Sequence, residues 1–154
     1  MDKDTVSQWL KKASQHIEEV SNYLMSNLNF EEAQLDELWS FVKKKEANCT
    51  PLEKLQEEYG DHWIWVSFNP KHKLILAFVT GKISQENADQ LIKHTKEKND
   101  GSLHIFFSDQ RPHYREAILK YFSQPVQPER KGTRGRHPKP RLEPSPGLLY
   151  VLDS

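Results

Sequence analysis

The sequence predicts an α/β domain in which three consecutive strands meander before a helix carries the chain to a fourth strand. Three observations predict it. A stretch from about Asp4 to Leu28 lacks Gly and Pro and repeats apolar residues at helical spacing. Two aromatic and β-branched runs flank Asn69-Pro70-Lys71-His72, the signature of a hairpin turn. An amphipathic segment opened by Ser84 then separates that hairpin from a further apolar run ending at Asp109.

Taken in order, Val6, Leu10, Ala13, Ile17, Val20, Leu24 and Leu28 fall three or four residues apart, which puts them on one face of a helix. Asp4 or Thr5 can cap its start. The first strand runs from about Ala33 to Val42 and stops at Lys43-Lys44-Lys45-Glu46. Pro51 to Tyr59 is charge-rich and fits one or two helical turns. The hairpin pairs His62 to Phe68 with Lys73 to Val79. Ser84 is the N-cap of the next helix, with Asn87 at the capping-box position and Ala88, Leu91, Ile92 and Thr95 on its apolar side. Asn99-Asp100-Gly101 breaks that helix, and the strand from Leu103 to Asp109 follows. Pro112 suits the first turn of a helix reaching Tyr121. Leu148 to Leu152 opens one more strand.

The crossover should be right-handed, laying the fourth strand parallel to the first. Three antiparallel strands, a helical crossover and a parallel strand form the opening of the ribonuclease-H-like fold. The sequence thus predicts an incomplete mixed α/β sheet domain of that type, preceded by a long N-terminal helix. The expected divisions are 1–29 for the helix, 30–123 for a partial core, 124–147 for a linker and 148–154 for a truncated strand.

Composition narrows the function classes. A chain of 154 residues, 36% hydrophobic and 29% charged, can bury one core, and no apolar run has the length of a membrane span. The N-terminus lacks the layout of a secretory signal, and Cys49 is the single cysteine, so a reducing, cytoplasmic setting is expected and an internal disulfide is excluded. The zero net charge hides an asymmetry. Between Pro125 and Arg141 stand six basic residues and one acid, and six of the nine prolines lie between Pro125 and Pro146. Such a segment reads either as a solvated linker or as an arm that contacts nucleic acid.

Two aspartates stand out. Asp36 sits within the first strand, and Asp109 closes the fourth. A charge on a strand that should face a core is costly unless it is paired. On neighbouring strands the two would form a carboxylate site for a divalent cation, the chemistry of phosphoryl transfer. The plain alternative is that Asp36 pairs with a lysine and Asp109 caps the following helix.

The surrounding residues carry a family resemblance. Gln34-Leu35-Asp36-Glu37-Leu38-Trp39-Ser40-Phe41-Val42-Lys43 resembles the first catalytic block of the DDE transposases of bacterial insertion sequences, of the insertion sequence one type. Ser108-Asp109-Gln110-Arg111-Pro112-His113-Tyr114 is similar to that family's second block, with Gln110-Arg111 where a small or acidic residue and Trp are usual. Trp63-Ile64-Trp65-Val66, Ser84 to Ala88, and Lys139 to Pro144 are similar too, so the resemblance covers roughly 5–150.

It implies a protein of DNA transposition, cleaving and transferring DNA strands with a pair of magnesium or manganese ions held by Asp36 and Asp109. It implies DNA as partner, both terminal repeats and target. A homo-oligomer or association with a full-length transposase is also possible on this reading, in a prokaryotic cytoplasm without membrane contact. The third acid of the family, a glutamate on a later helix, has no matching position. Glu129 and Glu143 fall in the Pro-rich segment, Asp153 in the final residues, and Glu37 should face the opposite side from Asp36. A copy truncated at both ends, with little activity alone, is therefore expected. Its alternative is a non-catalytic DNA-binding or subunit-titrating regulator of transposition.

Thr5 to Lys12 resembles the recognition helix of a helix-turn-helix, which would bring Thr5, Ser7, Gln8, Lys11 and Lys12 to DNA. A plain amphipathic packing helix, or a dimer seam, explains the same residues. In the basic segment, Arg130, Lys131, Arg134 and Arg136 are the candidate DNA contacts.

Overall fold

Strand-forming runs that alternate in burial, joined by capped helices, build a five-stranded mixed sheet in the computed structural model, which describes residues 2–55, 59–109, 111–128 and 139–152. The chain runs through α1 (Lys3–Leu24), β1 (Glu32–Val42), a 3-10 turn (Glu46–Asn48), α2 (Pro51–Lys54), β2 (Gly60–Asn69) and β3 (Leu74–Gly81). It continues through α3 (Gln85–Lys98), β4 (Ile105–Ser108), α4 (Pro112–Phe122), β5 (Ser123–Val126), β6 (Arg141–Pro144) and β7 (Leu149–Leu152). Among the described residues no helix is long and apolar enough to cross a membrane.

The sheet order is β3-β2-β1-β4-β7. β1, β2 and β3 pair antiparallel, and β4 then lies parallel to β1 with β7 parallel to β4. The predicted meander and crossover are therefore present. Ser84 accepts a hydrogen bond from the Asn87 amide at 3.3 Å and starts α3, as its position suggests. Pro112 occupies the first turn of α4, where its missing amide costs nothing. The final apolar run is a strand in the sheet, at its β4 edge.

One sheet face is covered and the other is open. Ala33 and Leu35 of β1, Trp65 and Ser67 of β2, and Phe106 and Ser108 of β4 are buried beneath α3 and α4. The helices contribute Ala88, Leu91, Ile92, Tyr114, Ala117 and Ile118 to the same core. Trp65 meets Tyr114 edge-on at 5.5 Å, and Phe106 meets Phe122 at 5.0 Å, so aromatic rings lock α4 to the sheet. On the opposite face Leu38, Phe78, Leu149 and Val151 are exposed. Asp36 belongs to this open face, so it escapes the burial cost that a core-facing charge would carry.

Two expectations need correction. The fourth strand stops at Ser108, leaving Asp109 just beyond it, because the chain turns there toward Pro112. The expected linker also begins and ends with paired chain. Ser123–Val126 and Arg141–Pro144 form an antiparallel ribbon in which Pro125 faces Leu142. Prolines are tolerated there because a two-stranded ribbon consists only of edges.

The start of β1 is fixed by Asn99, just past α3. Its side-chain amide donates to the carbonyls of Leu28 at 3.1 Å and Phe30 at 2.9 Å. Its carbonyl oxygen accepts from the amides of Gly101 and Leu103, each at 2.8 Å. Gly101 takes φ +102° in this turn, a left-handed value that glycine adopts without strain. One side chain thus holds the entries of β1 and β4 together. Asn99→Ala should lower stability by about 2–4 kcal/mol, since several modest hydrogen bonds are lost and their partners left unpaired. A smaller shift in the denaturant midpoint would mean that the two strand entries are held elsewhere.

Candidate active site

β1 and β4 bring the two aspartates together through register. The last parallel pair is Leu35 with Ser108, and Asp36 and Asp109 each follow directly on that pair. Parallel strands lie ~4.8 Å apart, so the two aspartates leave from neighbouring strands. Asp36 Oδ1 accepts the Glu37 amide at 2.8 Å. Asp109 is half exposed, and its Oδ2 accepts from Arg111 Nε at 3.3 Å.

Neither plain alternative describes them fully. No ion pair to a lysine is present at Asp36 among the described contacts, and Arg111 rather than Asp109 occupies the N-cap position of α4. Among the described residues no group of three or more His, Cys, Asp or Glu side chains comes together. Two concavities of the surface lie elsewhere, around Asn29, Phe30 and Asn69 near the start of β1.

Glu37 does not join the aspartates. Strand alternation turns it to the covered face, opposite Trp65, where its side chain is 2% exposed. Arg111 crosses to it, with Nε 2.8 Å from Glu37 Oε2, while its guanidinium lies 5.2 Å from the Trp63 ring centroid. One arginine therefore links a buried carboxylate to an exposed one. Burial raises the Glu37 pKa above the usual 4.5, against the opposing pull of the nearby Tyr114 hydroxyl and of Arg111, while Asp109 and Asp36 add to the rise.

The polar neighbourhood of Glu37 is under-satisfied. Glu37 Oε1, the Tyr114 hydroxyl, Trp65 Nε1, Ser67 Oγ and His113 Nδ1 are buried without a partner of hydrogen-bonding geometry. Tyr114 faces Glu37 closely enough to favour its charged form while missing that geometry. Desolvation and the Glu37 charge hold the tyrosine proton on far above its usual range. Such groups cost stability, and they make the Arg111 contact the main compensation for the buried charge.

No family model matches the chain, and no curated protein matches it.

The other predicted site residues separate into two groups. Thr5, Ser7, Gln8, Lys11 and Lys12 all lie on α1, which buries none of its residues. Arg130, Lys131, Arg134 and Arg136 lie outside the described residues. The residues that sequence reasoning left aside are Glu37, set apart as facing away from Asp36, and Arg111. Their signals are the alternation that separates Glu37 from Asp36 and the placement of an arginine two positions after Asp109.

Because the Glu37 pKa is raised on folding, the native state binds the proton more tightly than the unfolded chain. Its charge therefore costs stability at neutral pH, and the cost fades as pH falls through the raised value toward 4.5. Denaturation at successive pH values should show the wild type gaining stability relative to Glu37→Gln on acidification across that window. Arg111→Ala should destabilise the neutral-pH protein by about 3–5 kcal/mol, as expected when a buried charge loses its partner. Adding Glu37→Gln should recover part of that loss. If Arg111→Ala is equally harmful with Gln at 37, the pair is not the cause.

Proposed function

We propose that this chain is a transposase-type protein of DNA strand cleavage and transfer, built on a ribonuclease-H-like sheet, with Asp36 and Asp109 as its metal-binding carboxylates. The observation that supports the reading is the parallel β1–β4 register, whose last pair, Leu35 with Ser108, directly precedes both motif aspartates. The sheet order, with an antiparallel meander and then parallel strands, is the order expected for that fold. Both statements rest on this chain's own residues and on the resemblance of its two aspartate blocks.

The donor set fits one hard divalent ion. Magnesium or manganese accepts one or two carboxylates and keeps water and phosphate oxygens as its remaining ligands. Asp36 and Asp109 would supply the protein share. Such a cation would neutralise phosphate charge and activate the attacking oxygen at a phosphodiester. Arg111 restrains the Asp109 carboxylate and competes with a cation for it. Glu37, on the other face, anchors Arg111 and so positions Asp109 indirectly. A pair of ions would require further ligands beyond these two aspartates.

A second reading draws on α1. The helix stands clear of the sheet and presents Gln8, Lys11 and Lys12 to solvent, which suits a non-catalytic DNA-binding or subunit-titrating role. Phosphate contacts would make such binding strongly salt-dependent and indifferent to metal.

Manganese titration followed by a plasmid-nicking assay separates the two readings. The wild type should bind manganese, and Asp36→Asn should weaken binding at least ~10-fold, as loss of a supporting contact at a metal site already does. Arg111→Gln should tighten it by freeing Asp109. Nicking, where it occurs, should require the metal and vanish in Asp36→Asn. Manganese affinity unchanged by Asp36→Asn would sink the carboxylate assignment, and salt-sensitive, metal-independent DNA binding would favour the second reading.

A further inference from the structure

We propose that Arg111 is an anion-binding residue, whose terminal amino groups hold the oxygens of a phosphate beside Asp109. The site itself stands on Arg111, Glu37 and Trp63. Only its coupling to a divalent cation rests on the function proposed above.

The backbone fixes where this side chain starts. Arg111 precedes Pro112, and a residue before proline is driven out of the helical region. It takes φ −74° and ψ 122° and forms the N-cap of α4. Strand alternation has meanwhile turned Glu37 to the covered face, diagonal to Trp63 on the neighbouring strand. The arginine reaches both.

Three contacts hold the guanidinium. Nε lies 2.8 Å from Glu37 Oε2 and 3.3 Å from Asp109 Oδ2. Cζ lies over the Trp63 ring, 5.2 Å from its centroid. The closest approach to each acid is thus made by Nε. A two-pronged grip on Glu37 would engage both carboxylate oxygens, but Oε1 is buried without a hydrogen-bond partner. The edge carrying Nη1 and Nη2 is therefore not spent on Glu37. Because the guanidinium is planar, that edge points away from the Nε–H bond. Arg111 pairs with no other acid among the described residues. Its side chain keeps 28% exposure, with Asp109 at 54% and Glu37 at 2%, so solvent reaches the group from the Asp109 side.

An arginine held from behind with its fork facing outward is a preorganised receptor for an oxyanion. Little of its freedom remains to be lost on binding. The fork matches two oxygens of a phosphate. A tetrahedral phosphate can give those two and keep a third for a cation on Asp109, which a two-oxygen carboxylate cannot. Asp109 alone repels the anion. Phosphate therefore binds weakly until a divalent cation stands between them, and by linkage each ligand strengthens the other.

Titration of the full chain with inorganic phosphate tests the site. Calorimetry gives the affinity, and the side-chain Nε–H resonance of Arg111 reports the place. That resonance should move and saturate. Arg111→Lys keeps a cation near Glu37 but loses the fork, and should weaken binding at least ~10-fold, as loss of charged hydrogen bonds implies. If that variant does not fold, the wild-type resonance decides alone. Manganese should tighten phosphate binding, and phosphate should tighten manganese by the same factor. A short oligonucleotide that displaces phosphate and moves the same resonance assigns the anion to a polynucleotide backbone. A shift produced by inorganic phosphate alone assigns it to a free phosphate. Phosphate that leaves the Arg111 resonance unmoved, or binds Arg111→Lys as tightly, overturns the proposal and makes Arg111 only the counter-ion of Glu37. Phosphate at Arg111 with no manganese binding upholds the anion site and overturns the carboxylate reading instead.

Discussion

The first and fourth strands of the sheet meet in parallel after a long excursion of chain, so their pairing carries a loop-closure cost that neighbouring contacts must offset. Asn99 supplies the most local of those contacts. It reaches back 71 residues to Leu28 and, in the same turn, organises the approach to β4. Backbone bonds reinforce it, from Leu28 N to the Lys98 carbonyl at 2.7 Å and from Asp100 N to the Leu28 carbonyl at 3.0 Å. Once this corner is closed, the register of β1 against β4 follows residue by residue, and with it the neighbourhood of Asp36 and Asp109.

The same register separates two adjacent acids by one peptide. Asp36 takes the open face and keeps water around it. Glu37 takes the covered face and loses that water. Arg111 is the group that reconciles them, since its position after the end of β4 lets it reach the buried carboxylate while touching Asp109. The site is therefore more than two exposed aspartates. It includes a charge buried at a cost, held by an arginine whose side chain packs near the Trp63 ring.

Much of this fold can be read from the residues. Ser84 and Pro112 mark helix starts because capping and ring geometry act locally, and the hairpin follows from its turn and its β-branched flanks. The neighbouring placement of the Asp36 and Asp109 strands follows from connection handedness. Other features depend on contacts distant in sequence. Nothing near Glu37 announces that Arg111 will arrive beside it. The paired ends of the Pro-rich segment are hidden by a composition that reads as solvated chain. Phe78, Leu149 and Val151 have the apolar character of residues covered on both sides, yet they end on an open face, because burial depends on what packs above a strand and not on the strand itself. The apolar face of α1 is legible in the sequence, but its lack of burial emerges only from the fold.

The joint between α1 and the sheet has a mechanical consequence. α1 ends within a few residues of Leu28, where the chain is bridged to Asn99, and Asn27 there adopts φ 55°. Three residues, Met25 to Asn27, thus join the helix to the Leu28–Asn99 bridge, which precedes β1 at Glu32. Tension on α1 would therefore meet the sheet first at the Leu28–Asn99 bridge, ahead of β1 and of Asp36.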